Sequence, residues 1–192
     1  MAAGTGQPVE PQYLPDRPIV MVGPMAVGKS VIGAELARRL GLEFVDTDQR
    51  IVARHGSIGR IFSARGEHHF RQLEARAVAD VLDAPQTKVV VLSLGGGAVL
   101  DTGTQQLMAR ATVVYLRATL DIIKERIIRS SGRPLLASDP LAAWSRLAAA
   151  RGPVYARLAD ITIDVGTSSV PELVDRLIGL LAAESRKENT AP

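Results

Sequence analysis

The sequence predicts an α/β fold of three layers, with helices on both faces of a central parallel sheet of about five strands. Short apolar runs alternate with longer amphipathic segments along the chain, which is typical of consecutive strand and helix units. The segment Lys88–Leu94 is apolar almost throughout, as expected for a strand that helices bury on both faces. A length of 192 residues suits a single domain of this kind.

The individual elements follow from the spacing of apolar residues. The predicted strands are short runs rich in apolar and β-branched residues: Pro18–Val22, Glu43–Asp46, Lys88–Leu94, Thr112–Leu116 and Ile161–Val165. The predicted helices have apolar residues three or four positions apart: Lys29–Leu40, Gln49–His55, Ile58–Ala64, Glu67–Leu82, Thr102–Arg110, Leu120–Arg129, Leu141–Arg151 and Val170–Ala183. Gly41 marks the end of the first helix, and Pro85 interrupts the chain after the fourth.

The two ends of the chain lack this periodicity. Residues 1–17 contain several glycines and prolines, and the last eight residues are mostly polar or small. We therefore predict a flexible N-terminal tail over 1–17, one domain over 18–184 and a flexible C-terminal tail over 185–192.

The composition excludes several classes of function. The chain has no cysteine, which excludes a disulfide scaffold, thiol catalysis and cysteine-ligated metals. A net charge of +3 without a block of basic residues, together with 4% aromatic residues, argues against a nucleic-acid partner. The longest uncharged stretch, Val89–Leu100, is too short to cross a bilayer, and no apolar leader opens the chain. We expect a cytoplasmic monomer without a membrane partner.

The segment after the first predicted strand has the pattern G-x-x-x-x-G-K-S, from Gly23 to Ser30. Its glycines let successive backbone N–H groups converge on phosphate oxygens at a helix N-terminus, where the helix dipole favours anions. Lys29 is placed to reach the β- and γ-phosphates of a nucleotide, and the Ser30 hydroxyl to ligate Mg²⁺. The alternative is an ordinary turn with a surface lysine. Ala26 replaces a glycine common in this motif, and its methyl group is tolerated only at negative φ.

Carboxylates and glycines follow the next two strands. Asp46 and Asp48 lie two positions apart in a segment predicted to be extended, so their side chains point the same way. One carboxylate could hold a Mg²⁺-bound water, and the other could accept a proton from a substrate hydroxyl. Helix capping is an equally weighted alternative. The run Gly95–Gly97 exposes backbone amides to a ligand, with a flexible loop as the alternative.

Charged residues recur at helical spacing in the segment after Gly66. Glu67, Arg71 and Glu74 share one helical face, which also suits a solvated ladder of ion pairs. The adjacent His68 and His69 diverge on a helix and do not chelate one metal together.

Further arginines precede proline-containing breaks. Arg126, Arg129 and Arg133 lie before Pro134, where an arginine could close over ATP as part of a mobile lid at about 129–142. Arg151 stands at a predicted helix break before Pro153. A surface arginine is the alternative for each.

Taken together, these motifs resemble those of the shikimate kinases. The order GxxxxGKS, FVDTD, GEHHFRQLE, SLGGGAV, RPLL and RGPVYARLA extends from Pro18 to about Leu181. The resemblance implies a P-loop NTPase fold of the nucleoside-monophosphate-kinase type with a mobile lid. It also implies Mg-ATP-dependent phosphorylation of the 3-hydroxyl of shikimate to shikimate 3-phosphate and ADP, a step of aromatic amino acid biosynthesis.

The resemblance further implies a role for each matching position. The residues implied for ATP are Gly23, Ala26, Val27, Gly28, Lys29, Ser30, Val31, Arg126 and Arg133. Those implied for shikimate are Asp48, Arg71, Gly95, Gly96, Gly97 and Arg151. Ser30 and Asp46 are implied for the magnesium ion, and Lys29, Asp48 and Arg133 for catalysis, with Asp48 as the base. Glu74 would orient Arg71, and Phe62 and Phe70 would wall the pocket.

Two other functions remain open at this stage. One is a different small-molecule kinase of the same architecture, acting on gluconate or a nucleoside monophosphate. The other is a nucleotide-dependent switch that binds ATP without phosphorylating a small acid.

Overall fold

The computed structural model describes residues 14–84, 89–129, 134–136 and 139–188. It contains a five-stranded sheet in the order β2-β3-β1-β4-β5, and every neighbouring pair of strands is parallel. The strands are β1 (Ile19–Val22), β2 (Glu43–Asp46), β3 (Val90–Ser93), β4 (Thr112–Arg117) and β5 (Ile161–Asp164). The predicted fold class is thus confirmed, and each strand lies within one residue or two of its predicted bounds.

Seven α-helices are present in the described residues: α1 (Lys29–Leu40), α2 (Thr47–His55), α3 (Ile58–Leu82), α4 (Thr102–Met108), α5 (Leu120–Ile128), α6 (Pro140–Leu158) and α7 (Val170–Glu188). Single 3₁₀ turns cover Ala98–Leu100 and Pro134–Leu136. Helix α1 has its predicted bounds because a glycine stands at each end. Gly41 adopts a left-handed conformation, and its N–H group bonds to carbonyls of the last turn.

The apolar core lies on both faces of the sheet. In β1, Ile19 and Met21 face α1 and α7, whereas Val20 and Val22 face the layer that contains α3, α4 and α6. All four side chains are at most 1% exposed. This burial on two faces explains why the strands are continuous apolar runs rather than alternating ones.

Helix α3 joins two segments that the sequence predicts as separate helices. It runs from Ile58 to Leu82, but Gly66 inside it has φ 77° and ψ 172°, which are not helical angles. Only glycine adopts this conformation readily, so the chain kinks here. The predicted helices Ile58–Ala64 and Glu67–Leu82 therefore correspond to the two sides of the kink.

Helix α6 ends later than the sequence predicts. The sequence places its end at Arg151, before Gly152 and Pro153, but the helix continues to Leu158 with Pro153 inside it. A proline within a helix removes one backbone hydrogen bond. Packing offsets that loss, because Tyr155 is 1% exposed and its hydroxyl donates to the carbonyl of Gly96. Arg151 consequently lies inside a helix and not at a break.

The predicted tails and lid fall partly outside the described residues. Residues 1–13 and 189–192 lie outside, as do 130–133 and 137–138 of the predicted lid, and Arg133 is among them. Helix α7 reaches Glu188, beyond the predicted end at Ala183. Within the described ranges, no helix combines the length and hydropathy needed to span a membrane.

Candidate active site

The carboxyl ends of the strands open onto a pocket of about 680 Å³. Residues from the loop after β1 line it, namely Met25 to Ala26 and Gly28 to Ser30, together with side chains from α2, α3 and α6. The pocket therefore brings the phosphate-binding pattern and the candidate acceptor residues into one space. These acceptor residues are Asp48, Arg71, Gly95, Gly96, Gly97 and Arg151.

The loop after β1 wraps around the amino group of Lys29. Its Nζ atom donates to the carbonyl of Gly23 at 2.8 Å and to that of Pro24 at 3.0 Å. Gly23 has φ 141°, and a Cβ atom there would overlap the carbonyl oxygen of Leu116. Gly28, at φ 103°, starts α1, so the loop ends at a helix N-terminus. This is the anion-binding geometry that the motif predicts.

Ala26 does not meet the condition derived from the sequence. Its φ is 64°, in the left-handed region, and among the described residues it is the non-glycine residue with positive φ. The methyl group makes this conformation cost roughly 1–2 kcal/mol relative to the right-handed one. The loop thus adopts the conformation that suits a glycine although the residue is alanine.

The two valines of the predicted nucleotide set are placed differently. Val27 is fully buried and packs in the core between the sheet and α1, so only its backbone is available to a ligand. Val31, in the first turn of α1, is 62% exposed and lines the pocket. Arg126, on α5, also lines the pocket, and its Nη1 atom lies 3.8 Å from where a Cβ on Gly28 would be.

Asp46 caps a helix and also contacts the loop motif. Its Oδ2 atom accepts a hydrogen bond of 2.6 Å from the Ser30 hydroxyl, and its Oδ1 atom accepts one from the Gln49 N–H group. The second contact caps α2. The prediction that residues 46–48 are extended is therefore wrong after Asp46. Thr47 and Asp48 form the first turn of α2 instead.

Asp48 and Glu74 converge on Gly95. A Cβ atom on Gly95 would lie 2.9 Å from Asp48 Oδ1 and would overlap Glu74 Oε1. The N–H group of Gly95 donates to Thr47 Oγ1 at 3.1 Å, which anchors this backbone against α2. Glycine is required here by close approach, since any side chain would displace the carboxylates.

The Arg71 guanidinium lies over Gly97, where a Cβ atom would overlap it. Arg71 Nη1 donates to Glu74 Oε2 at 2.7 Å, and Arg71 Nη2 to Glu67 Oε1 at 2.8 Å. Glu74 is 1% exposed, so this row is not a solvated ladder along its whole length. Burial raises the pKa of Glu74, and the Arg71 guanidinium partly offsets this.

Arg151 lies beside Gly96, the middle glycine of the run. It is 7% exposed, and its Nη1 atom lies 3.7 Å from where a Cβ on Gly96 would be. Tyr155, one turn later, donates its hydroxyl to the Gly96 carbonyl at 2.5 Å. Burial raises the pKa of Tyr155 to about 12, although Arg151 opposes this, so the hydroxyl stays a neutral donor near pH 7. Tyr155 is not among the site residues predicted from the sequence, although its spacing of four from Arg151 places both on one helical face.

The loop from Gly23 to Ser30 and the side chains of Asp48, Arg71, Glu74 and Arg151 therefore border one pocket. The sequence model of the shikimate kinase family matches residues 25–182. The chain belongs to the shikimate kinase family.

Relatives with this name match nearly the whole chain. A shikimate kinase of Stenotrophomonas maltophilia is 42% identical over 177 residues, which cover 91% of this chain and 97% of the relative. One of Xanthomonas campestris is 43% identical and covers 90% and 96% of the two chains. A solved shikimate kinase of Acinetobacter baumannii, in complex with shikimate, superposes with a TM-score of 0.82. It is 32% identical and covers 90% of this chain and 95% of its own.

Membership in the shikimate kinase family shows an ATP-dependent kinase, which argues against the nucleotide-dependent switch. It also groups the chain with shikimate kinases rather than with kinases of gluconate or nucleoside monophosphates. The structural comparison agrees, because a shikimate kinase shares the sheet and helices over nine-tenths of the chain. The roles of individual residues rest on the geometry of this chain.

Proposed function

We propose that this chain transfers the γ-phosphoryl group of ATP to the 3-hydroxyl of shikimate through the residues that line the pocket described above. The observation that carries the assignment is the convergence of Lys29, Asp48 and Arg71 on one pocket although they belong to three different elements. Phosphoryl transfer needs in-line positioning and neutralisation of charge, and this pocket contains groups for both.

The arginines suit the carboxylate of the acceptor. Arg71 and Arg151 approach the neighbouring glycines Gly97 and Gly96, so both guanidinium groups border the same stretch of backbone. Planar guanidinium groups bind a carboxylate through paired hydrogen bonds. Glu74 holds the Arg71 guanidinium in place from its buried position. We infer that these two arginines fix the orientation of the shikimate ring.

The carboxylates suit the hydroxyls of the acceptor. Asp48 lies in the first turn of α2, and its carboxylate faces the Gly95 backbone. We assign it to the hydroxyl that attacks phosphorus, whose proton it accepts. Glu74 Oε1 is a buried oxygen for which the described residues provide no hydrogen-bond partner, and it faces the same point. A hydroxyl of the bound ring would satisfy it.

The phosphates of ATP suit the loop from Gly23 to Ser30. The Lys29 amino group donates to two loop carbonyls in this structure, and we infer that it exchanges these for oxygens of the β- and γ-phosphates. Arg126 lies near the start of α1, and we assign it to the adenine base, as the resemblance implies. The sequence assigns Arg133 to the transferring group, and that residue lies outside the described ranges.

Ser30 and Asp46 fit a magnesium ion. Their side-chain oxygens lie 2.6 Å apart, and both belong to the hard-oxygen type that Mg²⁺ prefers. When bound there, Mg²⁺ would neutralise charge on the phosphate oxygens. Asp46 is held for this role by capping α2, which fixes its carboxylate beside α1.

We further propose that the chain acts as a cytoplasmic monomer of one domain, residues 18–184, with a lid near 129–142. The support is that elements of a single chain supply the phosphate cradle, both arginines and both carboxylates. No second copy is needed to complete this set.

A coupled assay of ADP release tests the proposed reaction. Shikimate, gluconate and nucleoside monophosphates are each offered with Mg-ATP, and we expect only shikimate to stimulate ADP release strongly. The two arginines are consistent with an acidic acceptor, but gluconate also carries a carboxylate. The preference for shikimate over gluconate is therefore expected from membership in the shikimate kinase family. Stronger stimulation by a nucleoside monophosphate, or ATP binding without stimulation by shikimate, would refute the proposal.

Replacing Arg71 with alanine is expected to weaken shikimate binding about 10- to 100-fold, because charge-assisted hydrogen bonds to the carboxylate are lost. Titration calorimetry of shikimate into the nucleotide-free protein measures this, and ATP binding is expected to stay within about twofold. Arg54→Ala is the matched control, since Arg54 also pairs with a carboxylate on a neighbouring helix, at 2.9 Å, but away from the pocket. Unchanged shikimate affinity in Arg71→Ala would show that Arg71 does not bind shikimate and serves only in ion pairs with Glu67 and Glu74.

A further inference from the structure

One side chain of α6 contacts the loop after β1 directly. Trp144 is the single tryptophan of the sequence and is 4% exposed. Its indole Nε1 donates a hydrogen bond of 2.9 Å to the carbonyl of Met25, from a position 119 residues away along the chain. Ala26, the residue at φ 64°, follows Met25 immediately.

The contacted carbonyl belongs to the peptide group whose rotation sets the φ angle of Ala26. The peptide group is planar, so Met25 O and the Ala26 nitrogen turn together. A hydrogen bond to this oxygen therefore resists the rotation by which Ala26 would leave the left-handed region. Alanine needs such a restraint more than glycine does, because its methyl group disfavours this conformation.

We propose that Trp144 is a positioning residue for the nucleotide loop, and that it holds the loop in the phosphate-binding conformation that alanine at position 26 disfavours. The indole is itself fixed by a buried cluster with Ile123, Ile127 and Leu136, against which Met25 and Ala26 also pack. This inference deepens the proposed function, since it rests on ATP binding at that loop.

The same helix face also carries acceptor residues. Trp144, Arg151 and Tyr155 are spaced by seven and four residues, which places them on one side of α6. Trp144 bonds to the nucleotide loop, and Tyr155 bonds to the carbonyl of Gly96 in the acceptor cavity. Helix α6 thereby sets the distance between the two halves of the pocket.

A double-mutant cycle on ATP binding tests the proposal. Titration calorimetry without shikimate compares Trp144→Phe in the natural sequence and in the Ala26→Gly background. We expect Trp144→Phe to weaken ATP binding about fivefold in the natural sequence, the usual worth of one hydrogen bond. In the Ala26→Gly background we expect Trp144→Phe to weaken ATP binding by less than about twofold, because glycine adopts the left-handed conformation without a restraint.

Ile123→Val is the control for packing, since it removes one methylene from the same cluster and no hydrogen bond. It is expected to lower the Tm while ATP affinity stays within about twofold. An equal effect of Trp144→Phe in both backgrounds, or no effect in either, would overturn the proposal.

A measurement on the unaltered protein does not depend on whether Trp144→Phe folds. Because the chain has one tryptophan, its emission reports this site alone. Titration with ATP is expected to change the intensity or wavelength of emission, and unchanged emission at saturating ATP counts against the proposal. Both tests read ATP binding without acceptor. Failure to phosphorylate shikimate would therefore refute the proposed function, whereas the role of Trp144 is decided by the ATP-binding measurements alone.

Discussion

Replacing Lys29 with methionine is expected to lower kcat by about 10³-fold while the chain still folds. The Nζ atom lies at the centre of the loop after β1, where it bonds to the carbonyls of Gly23 and Pro24. Among the residues that the structure describes, no other lysine lines the pocket, so none of them would replace its amino group. The loss falls on kcat because negative charge develops on the departing ADP oxygen in the transition state, where the Lys29 amino group would neutralise it.

Steady-state kinetics with shikimate and Mg-ATP measures this effect, and circular dichroism checks the fold. Lys124→Met is the matched control, because Lys124 is an exposed lysine on α5 that does not line the pocket. It is expected to keep full turnover. A kcat in Lys29→Met comparable to that of the unaltered protein would refute the assignment of Lys29.

Replacing Asp48 with asparagine is expected to lower kcat by roughly 10²- to 10⁴-fold, the usual worth of a positioned base. Asparagine keeps the shape of the side chain and one acceptor oxygen, but its amide does not accept the hydroxyl proton. The neighbouring Glu74 does not replace it, because it is buried and bonded to Arg71. The KM for shikimate is expected to change much less than kcat.

The split between kcat and KM decides how Asp48 acts. An effect confined to KM would mean that Asp48 only binds a hydroxyl and that the proton goes elsewhere. Asp121→Asn is the control, since Asp121 also lies in the first turn of a helix but is exposed on α5. We expect its kinetics to match those of the unaltered protein.

Most of the fold could be predicted because its signals are local. The strands are apolar runs in the sequence, and α1 lies between two glycines that act at its ends. The end of α6 could not be predicted, because Pro153 is a local stop signal that only the distant packing of Tyr155 overrides. The conformation of Ala26 escaped prediction for the same reason.

The candidate site divides in a similar way. Gly28, Lys29 and Ser30 form a contiguous motif, so their arrangement follows from the local sequence. Contacts such as Trp144 to Met25 and Tyr155 to Gly96 join residues 119 and 59 positions apart. No spacing rule connects such pairs, and only the folded chain brings them together. The roles of Asp48, Arg71 and Arg151 in the reaction remain predictions for the experiments above.

The strand order has a consequence for how this scaffold diversifies. Strands β2 and β3 both lie on one side of β1, and the segments that follow them carry Asp48 and the glycine run. Val165, Ser168 and Val170, which line another part of the pocket, follow β5 at the opposite edge of the sheet. If the proposed roles hold, mutations confined to residues 67–74 and 95–97 would explore new acceptors and leave the loop from Gly23 to Ser30 and its partner Asp46 unchanged. A directed-evolution library built on this division would keep the energy source constant and vary only what receives the phosphate.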